Sequence, residues 1–241
     1  MIGSVLIGED NLISQQVMEA LLEVKCKKVK AVAGYEELRK EFAKEQYDLL
    51  FLDFHLDQDA DFIVAQLREG DSINKDIPVI ILSAEPEVVV LEKMRGLAIS
   101  GYLKKPIDSA QLEAVLNHAT VPTVSEASDI LDLSDLEILL GGTERVQRII
   151  RIFIGEATEY FNQMEYLLVK QDWLQLRALV HRARASYGYL GLDHLNNQLT
   201  QWEADLDAKR NQDQYPQILR KIKSETEDVV KKLKKAYPFT S

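Results

Sequence analysis

Cys26 is the only cysteine in 241 residues, so no disulfide can form within the chain. A lone thiol fits a reducing compartment. No apolar run approaches the roughly 20 residues that span a bilayer. The opening MIGSVLIGED has neither a basic leader nor the apolar stretch of a secretory signal. These absences predict a cytoplasmic protein with no membrane insertion. Positive charge is also short: 29 Lys and Arg stand against 39 Asp and Glu, a net charge of -10. Residues 1–120 hold 13 basic and 21 acidic side chains, and the remainder 16 and 18. Without a basic stripe or a helix-turn-helix pattern, nucleic acid is excluded as a partner. The four histidines, His55, His118, His181 and His194, are too dispersed for a zinc site. Internal repeats and low-complexity tracts are missing too.

What is present is an ordinary globular composition, 46% hydrophobic and 28% charged, written in two different periodicities. In the first half, strand patterns at 4–7, 28–33, 49–52, 78–82 and 101–103 alternate with helical patterns at 12–22, 35–44, 61–68, 87–94 and 109–118. LLFL and PVIIL are continuous apolar runs, as a parallel sheet covered on both faces requires. Alternation of this kind predicts an α/β doubly wound, five-stranded parallel sheet. The second half has no strand pattern. It reads as an all-α antiparallel helix bundle, with helices near 134–140, 143–170, 173–189, 194–208 and 215–236. Ser134 and Glu137 make a capping box. Gly141-Gly142 ends the first of these helices, and Thr143 is expected to cap the next. TVPTVSEAS, without periodicity, is the candidate connection. The expected organisation is a domain over 1–121, a linker over 122–128 and a bundle over 129–241.

In an open α/β sheet, ligands collect at the carboxyl ends of the strands. Here those ends carry Glu9 and Asp10, Asp53, Ser83, and Lys104-Lys105-Pro106. An acid in such a loop is usually just solvated, Ser83 could cap a helix, and either lysine could be a surface residue. Three carboxylates converging on one rim, however, make an oxygen-rich site for Mg²⁺. A lysine and a hydroxyl beside them suit phosphoryl oxygens, and a carboxylate can act as nucleophile toward phosphorus.

Residues 1–120 resemble the receiver domain of bacterial two-component response regulators, a flavodoxin-like fold. The resemblance rests on Glu9/Asp10, Asp53 in DLLFLDFHL, Ser83 in ILSA, Tyr102 and Lys105-Pro106. Ser83 lies 30 residues and Lys105 52 residues after Asp53. It implies that Asp53 accepts the phosphoryl group. Glu9, Asp10, Asp53 and the backbone carbonyl of His55 would hold Mg²⁺. Ser83 and Lys105 would grip the phosphoryl oxygens, and the rotamer of Tyr102 would report the state of the site together with Ser83. Lys104 has no such role and is expected to be solvated. The family usually has proline four residues and glycine eight residues after the acceptor, where this chain has Asp57 and Asp61. With Asp59 these acids are expected to crowd the mouth, either as a solvated loop with Asp61 capping a helix or as a device that tunes metal affinity. The run 98–101, Ala-Ile-Ser-Gly, also departs from the family and leaves the usual docking face open to question.

The second half carries LVHRARASYGYLG. His181 stands off the apolar stripe Leu176, Val180, Ala183, Tyr187, Leu190. Its neighbours one turn away are Arg177, Arg184, Ala185 and Gly188. A glycine inside a helix costs about 1 kcal/mol against alanine, so propensity does not ask for Gly188. Taken alone, His181 is a solvent-facing helical histidine. The stretch from Val180 to Gly191 resembles the motif of histidine-containing phosphotransfer (HPt) domains, with Arg184 where that family has Lys and Ala185 where it has Gly. The resemblance implies that His181 is a second phosphoryl carrier. Arg184 and Arg177 would contact the phosphoryl group, while Ala185 and Gly188 would leave room for a docking receiver.

Trp173 and Trp202 read as core, His55 as turned away from Asp53, His118 and His194 as helix surface, and KKLKK at 231–235 as a solvated helix end. No kinase core or ATP-binding motif is visible, so the chain reads as a phosphoryl-group carrier rather than an enzyme, beyond catalysing its own phosphorylation and dephosphorylation with Mg²⁺. Its expected partners are a sensor or hybrid histidine kinase and a downstream response regulator. The alternative is a phosphorylation-switched binding module whose bundle carries no phosphate. An aspartyl-nucleophile phosphatase is disfavoured, because such enzymes place a second Asp where this chain has His55.

Overall fold

The computed structural model describes residues 2–69, 72–107, 109–116, 133, 136–137 and 140–238. The chain divides into two compact units, Met1–Ser125 and Glu126–Ser241. His118, Ser134 of the capping box and the expected linker 122–128 lie outside the described residues.

The first unit is a parallel sheet of β1 (Ile2–Gly8), β2 (Cys26–Val32), β3 (Leu49–Asp53), β4 (Val79–Ser83) and β5 (Gly101–Lys104) in the order β2-β1-β3-β4-β5. Helices α1 (Leu12–Glu23), α2 (Tyr35–Lys44), α3 (Ala60–Glu69), α4 (Glu87–Lys93) and α5 (Ser109–Leu116) alternate with the strands. Every residue of β3 and β4 is buried, which is why both read as unbroken apolar runs. β2 is an edge strand. Its lysines Lys27, Lys28 and Lys30 keep the outer margin charged and oppose further strand pairing. The strand order turns back between β1 and β3, and a crevice at their carboxyl ends is the usual result of that reversal. Gly8 closes β1 where the space is tight. A Cβ there would lie 2.8 Å from a Leu38 methyl and 3.2 Å from a Leu52 methyl, so glycine lets β1 pass and deliver Glu9 to the crevice without displacing either leucine.

The second unit is helical. Among the described residues it contains α6 (Thr143–Lys170), α7 (Trp173–Tyr189), α8 (Asp193–Asp207) and α9 (Tyr215–Ala236), with a 3₁₀ turn at Gln212–Gln214. Short connections make consecutive helices antiparallel. α7 packs on α6 and α8, and α9 closes the bundle against α6 and α8. The buried stripe of α6 runs Val146, Ile149, Ile150, Phe153, Ala157, Phe161, Met164 at helical spacing. Trp202 and Tyr215 are fully buried, whereas Trp173 is half-buried with its ring edge-on to Tyr215. Thr143 does not cap α6 as its sequence position suggests. Gly142 takes the cap position with φ 145, so Thr143 is already helical and its hydroxyl sits past the cap. Among the described residues, no helix is long and apolar enough to cross a membrane.

Candidate functional site

Two constellations stand out, one in each unit. In the first, β1 runs into Glu9, which is wholly buried. Its backbone N–H donates to Val32 at 3.0 Å, and its Oε1 accepts the backbone N–H of Asn11 at 3.1 Å. The side chain of Gln15 on α1 donates to its carbonyl. Asp53 ends β3 and is also buried. Lys105 Nζ lies 2.5 Å from Glu9 Oε2 and 3.0 Å from Asp53 Oδ1, with its side chain only 8% exposed. Burial pushes the Glu9 carboxyl up to about 8, and the negative Asp53 beside it adds to the effect while Lys105 opposes it. Asp10 is half-buried at the rim. One ligand oxygen from each of Glu9, Asp10 and Asp53 gathers within 4.8 Å, the metal-type cluster among the described residues. Three carboxylates with no sulfur or imidazole donor fit Mg²⁺.

Ser83 is buried on the strand beside Asp53, where Asp53 pairs with Leu82, and its Oγ accepts the Glu85 backbone N–H at 3.0 Å. Tyr102 is half-buried and donates its hydroxyl proton to the Glu85 carbonyl at 2.7 Å. Burial raises its hydroxyl to about 12. The His55 backbone nitrogen is 3.5 Å from Asp53 Oδ1, while its ring stacks edge-on against Phe54 and reaches Asp59 at 3.5 Å. Lys104 is exposed. The loop acids have partners of their own. Asp57 accepts the Tyr35 backbone N–H at the start of α2 at 2.8 Å. Lys93 on α4 pairs with Asp59 at 2.8 Å and Asp61 at 3.7 Å. Asp61 sits in the first turn of α3 rather than at its cap.

In the second unit His181 projects from α7 toward α8, its side chain 19% exposed. Nδ1 lies 2.8 Å from Glu203 Oε1. An ionised carboxylate only accepts hydrogen bonds, so Nδ1 carries the proton and the lone pair of the neutral ring is on Nε2. Both arginines share the face of His181, but the Arg184 guanidinium turns onto Glu203 and that of Arg177 is divided between Asp207 at 2.6 Å and Glu203. Arg184 bonds Oε2, and Arg177 lies 3.4 Å from Oε1. Ala185 and Gly188 are half-exposed on the same face. A Cβ on Gly188 would only touch Asn196 Nδ2 at 3.6 Å, an ordinary contact, so packing does not require the glycine. His194 is an exposed surface residue, its side chain 75% accessible.

Sequence reasoning missed Glu203, though a signal was there. In LTQWEADL the buried residues Leu199, Trp202 and Leu206 mark the core stripe of α8, and Glu203 falls four after Leu199, on that stripe. Burial alone would raise this carboxyl. The hydrogen bond and charge of His181, then those of Arg184, reverse the effect and hold it at about 2. A carboxyl depressed from 4.5 to about 2 contributes stability that is complete above pH 4.5 and lost as pH falls toward 2, about 3 kcal/mol over that window. Glu203→Gln should flatten the slope of bundle stability between pH 4.5 and 2.5. Both tryptophans belong to the bundle, so urea unfolding followed by their fluorescence reads this unit; parallel slopes for variant and wild type would contradict the assignment.

The chain is similar to known proteins along most of its length. A family model, "Response regulator receiver domain", matches residues 5–117, and a second, "Hpt domain", matches residues 148–234. The sensory/regulatory protein RpfC of Xanthomonas campestris is 27% identical over 204 residues, covering 78% of this chain and 28% of the relative. The signal transduction histidine-protein kinase BarA of Escherichia coli K12 is 23% identical over 232 residues, covering 90% of this chain and 25% of the relative. The chain thus spans about a quarter of the length of these curated relatives. Among solved structures, the receiver domain of sensor histidine kinase PA1611 from Pseudomonas aeruginosa PAO1, with a magnesium ion in its active-site cleft, is 25% identical. That match covers 49% of this chain and 97% of the other at a TM-score of 0.44. A sensor protein from Polaromonas sp. JS666 is 27% identical, covering 48% and 94% at a TM-score of 0.45.

Proposed function

From a chain that carries a response regulator receiver domain followed by an Hpt domain, we propose a phosphorelay protein in which Asp53 takes a phosphoryl group from a histidine kinase and His181 is a second carrier. The domains are assigned to 1–121 and 129–241, joined by 122–128. The observation that carries the reading is the pairing of two chemically complete sites. One is a buried carboxylate pocket closed by a lysine; the other is an imidazole whose Nδ1 is fixed by a carboxylate.

In the first step an Asp53 carboxylate oxygen forms a bond to phosphorus while the bond to the donor nitrogen breaks, and the departing imidazole takes up a proton. Glu9, Asp10, Asp53 and the His55 carbonyl would hold Mg²⁺, which when bound neutralises charge on the phosphoryl oxygens. Lys105 Nζ, already at Asp53 Oδ1, is placed to hold a phosphoryl oxygen, and Ser83 lies one residue further along the sheet for another. Movement of Ser83 and Tyr102 would couple the pocket to the surface around α4. In the second step His181 Nε2 supplies its lone pair to phosphorus, the Asp53 oxygen–phosphorus bond breaks, and the carboxylate is restored. The imidazolium that forms keeps its Nδ1 proton on Glu203. Arg177 and Arg184 place positive charge beside the group, and Ala185 and Gly188 leave the surface low for an incoming receiver. A sensor or hybrid histidine kinase and a downstream response regulator are the partners this chemistry calls for, in the cytoplasm.

Acetyl phosphate with Mg²⁺ tests the reading on wild type, Asp53→Ala and His181→Ala, read by intact mass and lability. Acyl phosphates are lost in base and phosphohistidine in acid. The expected wild-type result is a base-labile product on Asp53 and an acid-labile product on His181 that disappears in Asp53→Ala. A base-labile product alone, with His181 also refusing a phosphoryl group from separately phosphorylated receivers, would leave a phosphorylation-switched binding module instead. No product at all would remove both readings.

A further inference from the structure

Glu203 is shared by more donors than its two oxygens separate. Arg184 occupies Oε2. Oε1 receives His181 Nδ1 at 2.8 Å and also has Arg177 Nη2 at 3.4 Å. Arg177 and His181 therefore compete for one oxygen. Arg177 does not enter that competition fully, because its Nε lies 2.6 Å from Oδ1 of Asp207, one turn beyond Glu203 on α8. The surroundings leave Arg177 room to turn. It lines, with Trp173, Leu206, Asp207 and Lys209, an open cavity of about 610 Å³ at this end of the bundle. The Nε edge of its guanidinium is buried against Asp207, its closest charged partner.

We infer that Asp207 is a positioning residue for His181: by holding the Nε edge of Arg177 it keeps that guanidinium off Glu203 Oε1 and preserves the Nδ1-protonated ring. This rests on the reading of His181 as phosphoryl carrier and adds what controls its reactive nitrogen. A guanidinium presents two parallel N–H donors and keeps its charge, whereas a neutral imidazole offers one uncharged N–H. Freed from Asp207, Arg177 can bring Nε and Nη2 together onto Glu203 as a charge-assisted fork, and such a fork outcompetes the imidazole. Once Nδ1 loses its acceptor, the proton is no longer held there. A ring protonated on Nε2 has no lone pair to give to phosphorus. The role is one of geometry. The Arg177–Asp207 pair has side chains 30% and 55% exposed, and ion pairs so exposed add little to stability.

The test uses the full chain and three variants: Asp207→Asn, Arg177→Gln and the double variant. The first readout is the tautomer of His181 by ¹⁵N NMR of the neutral ring, which needs no phosphorylation. The second is the rate of phosphoryl transfer from a separate phosphorylated receiver to His181. Asp207→Asn should melt with wild type, lose Nδ1-protonated ring and transfer about tenfold slower, an effect of the size seen when an outer partner of an active group is removed. Arg177→Gln should keep the wild-type tautomer, while its transfer slows because it removes a charge beside the phosphoryl group. The double variant should return to Arg177→Gln behaviour, because without Arg177 there is nothing for Asp207 to restrain. A wild-type tautomer in Asp207→Asn overturns the inference. So does a loss of Nδ1-protonated ring in Arg177→Gln equal to that in Asp207→Asn, since two groups that merely brace the bundle would shift the tautomer in the same direction. If His181 accepts no phosphoryl group in any form, the phosphorelay reading fails, yet the tautomer measurement still decides the part played by Asp207.

Discussion

Lys105→Ala should take up phosphoryl groups from acetyl phosphate about 100-fold slower than wild type, the cost typical of losing one preorganised donor to a developing anion. The reason is the position of a single nitrogen. Lys105 Nζ bridges Glu9 Oε2 at 2.5 Å and Asp53 Oδ1 at 3.0 Å, with 8% of the side chain reaching solvent. In so dry a place its charge is screened far less than on the surface. It pairs directly with Asp53 and so stands beside the place where Asp53 receives phosphorus. Truncation leaves the buried Glu9 and Asp53 carboxyls facing each other without their shared cation, so the variant should also melt lower than wild type, as buried groups that lose an ion-pair partner do. Asp53→Ala is the useful contrast. It removes the nucleophile and takes up nothing, but it also removes one of the two buried carboxyls sharing Lys105, so it should melt at least as high as wild type. Intact mass after timed exposure gives the rates, and thermal unfolding of each variant gives the second comparison. Uptake by Lys105→Ala at the wild-type rate would take the lysine out of the chemistry.

The acidic pocket could be read from sequence because each of its members ends a strand whose apolar run is itself legible. LLFL delivers Asp53, PVIIL delivers Ser83, and SVLI followed by Gly8 delivers Glu9 and Asp10. In a parallel sheet all carboxyl ends share one rim, so placing the strands places the side chains. Helices α6, α7 and α9 were equally legible, since their stripes keep one period over many turns. The loop after Asp53 was not. Asp57, Asp59 and Asp61 look alike in DFHLDQDAD, but one caps α2 and two meet Lys93, partners far away in sequence that no local pattern names. Arg177 and Arg184 show the same limit from the other side. Their spacing puts them on one face with His181, but their guanidinium groups go to carboxylates on the next helix, Arg184 to Glu203 and Arg177 to Asp207 and Glu203. A local motif tells which residues share a face; it does not tell what the facing helix presents.

What the facing helix presents here is Glu203, and Glu203→Ala should slow phosphoryl transfer to His181 by 100-fold or more while the bundle stays folded at neutral pH. A catalytic imidazole held in the wrong tautomer is known to cost up to about 10⁴ in rate, so loss of the group that selects the tautomer can have an effect of this order. Glu203 acts on both sides of the reaction. Before transfer its Oε1, 2.8 Å from Nδ1, keeps the ring proton away from Nε2. As phosphorus bonds to Nε2 the ring becomes cationic, and the buried carboxylate stabilises that charge where water cannot screen it. Arg177 and Arg184, released by the substitution, cannot stand in, because a guanidinium has donors only and Nδ1–H needs an acceptor. Glu203→Gln separates the two contributions. Its amide oxygen can still accept from Nδ1–H and keep the tautomer, but it brings no charge to the imidazolium, so it should fall between alanine and wild type, about tenfold slow. Transfer from a phosphorylated receiver, followed by acid-labile phosphate on the full chain, measures all three. Alanine and glutamine variants equal to each other would mean that charge alone matters, and both equal to wild type would mean that His181 does not need Glu203 to carry a phosphoryl group.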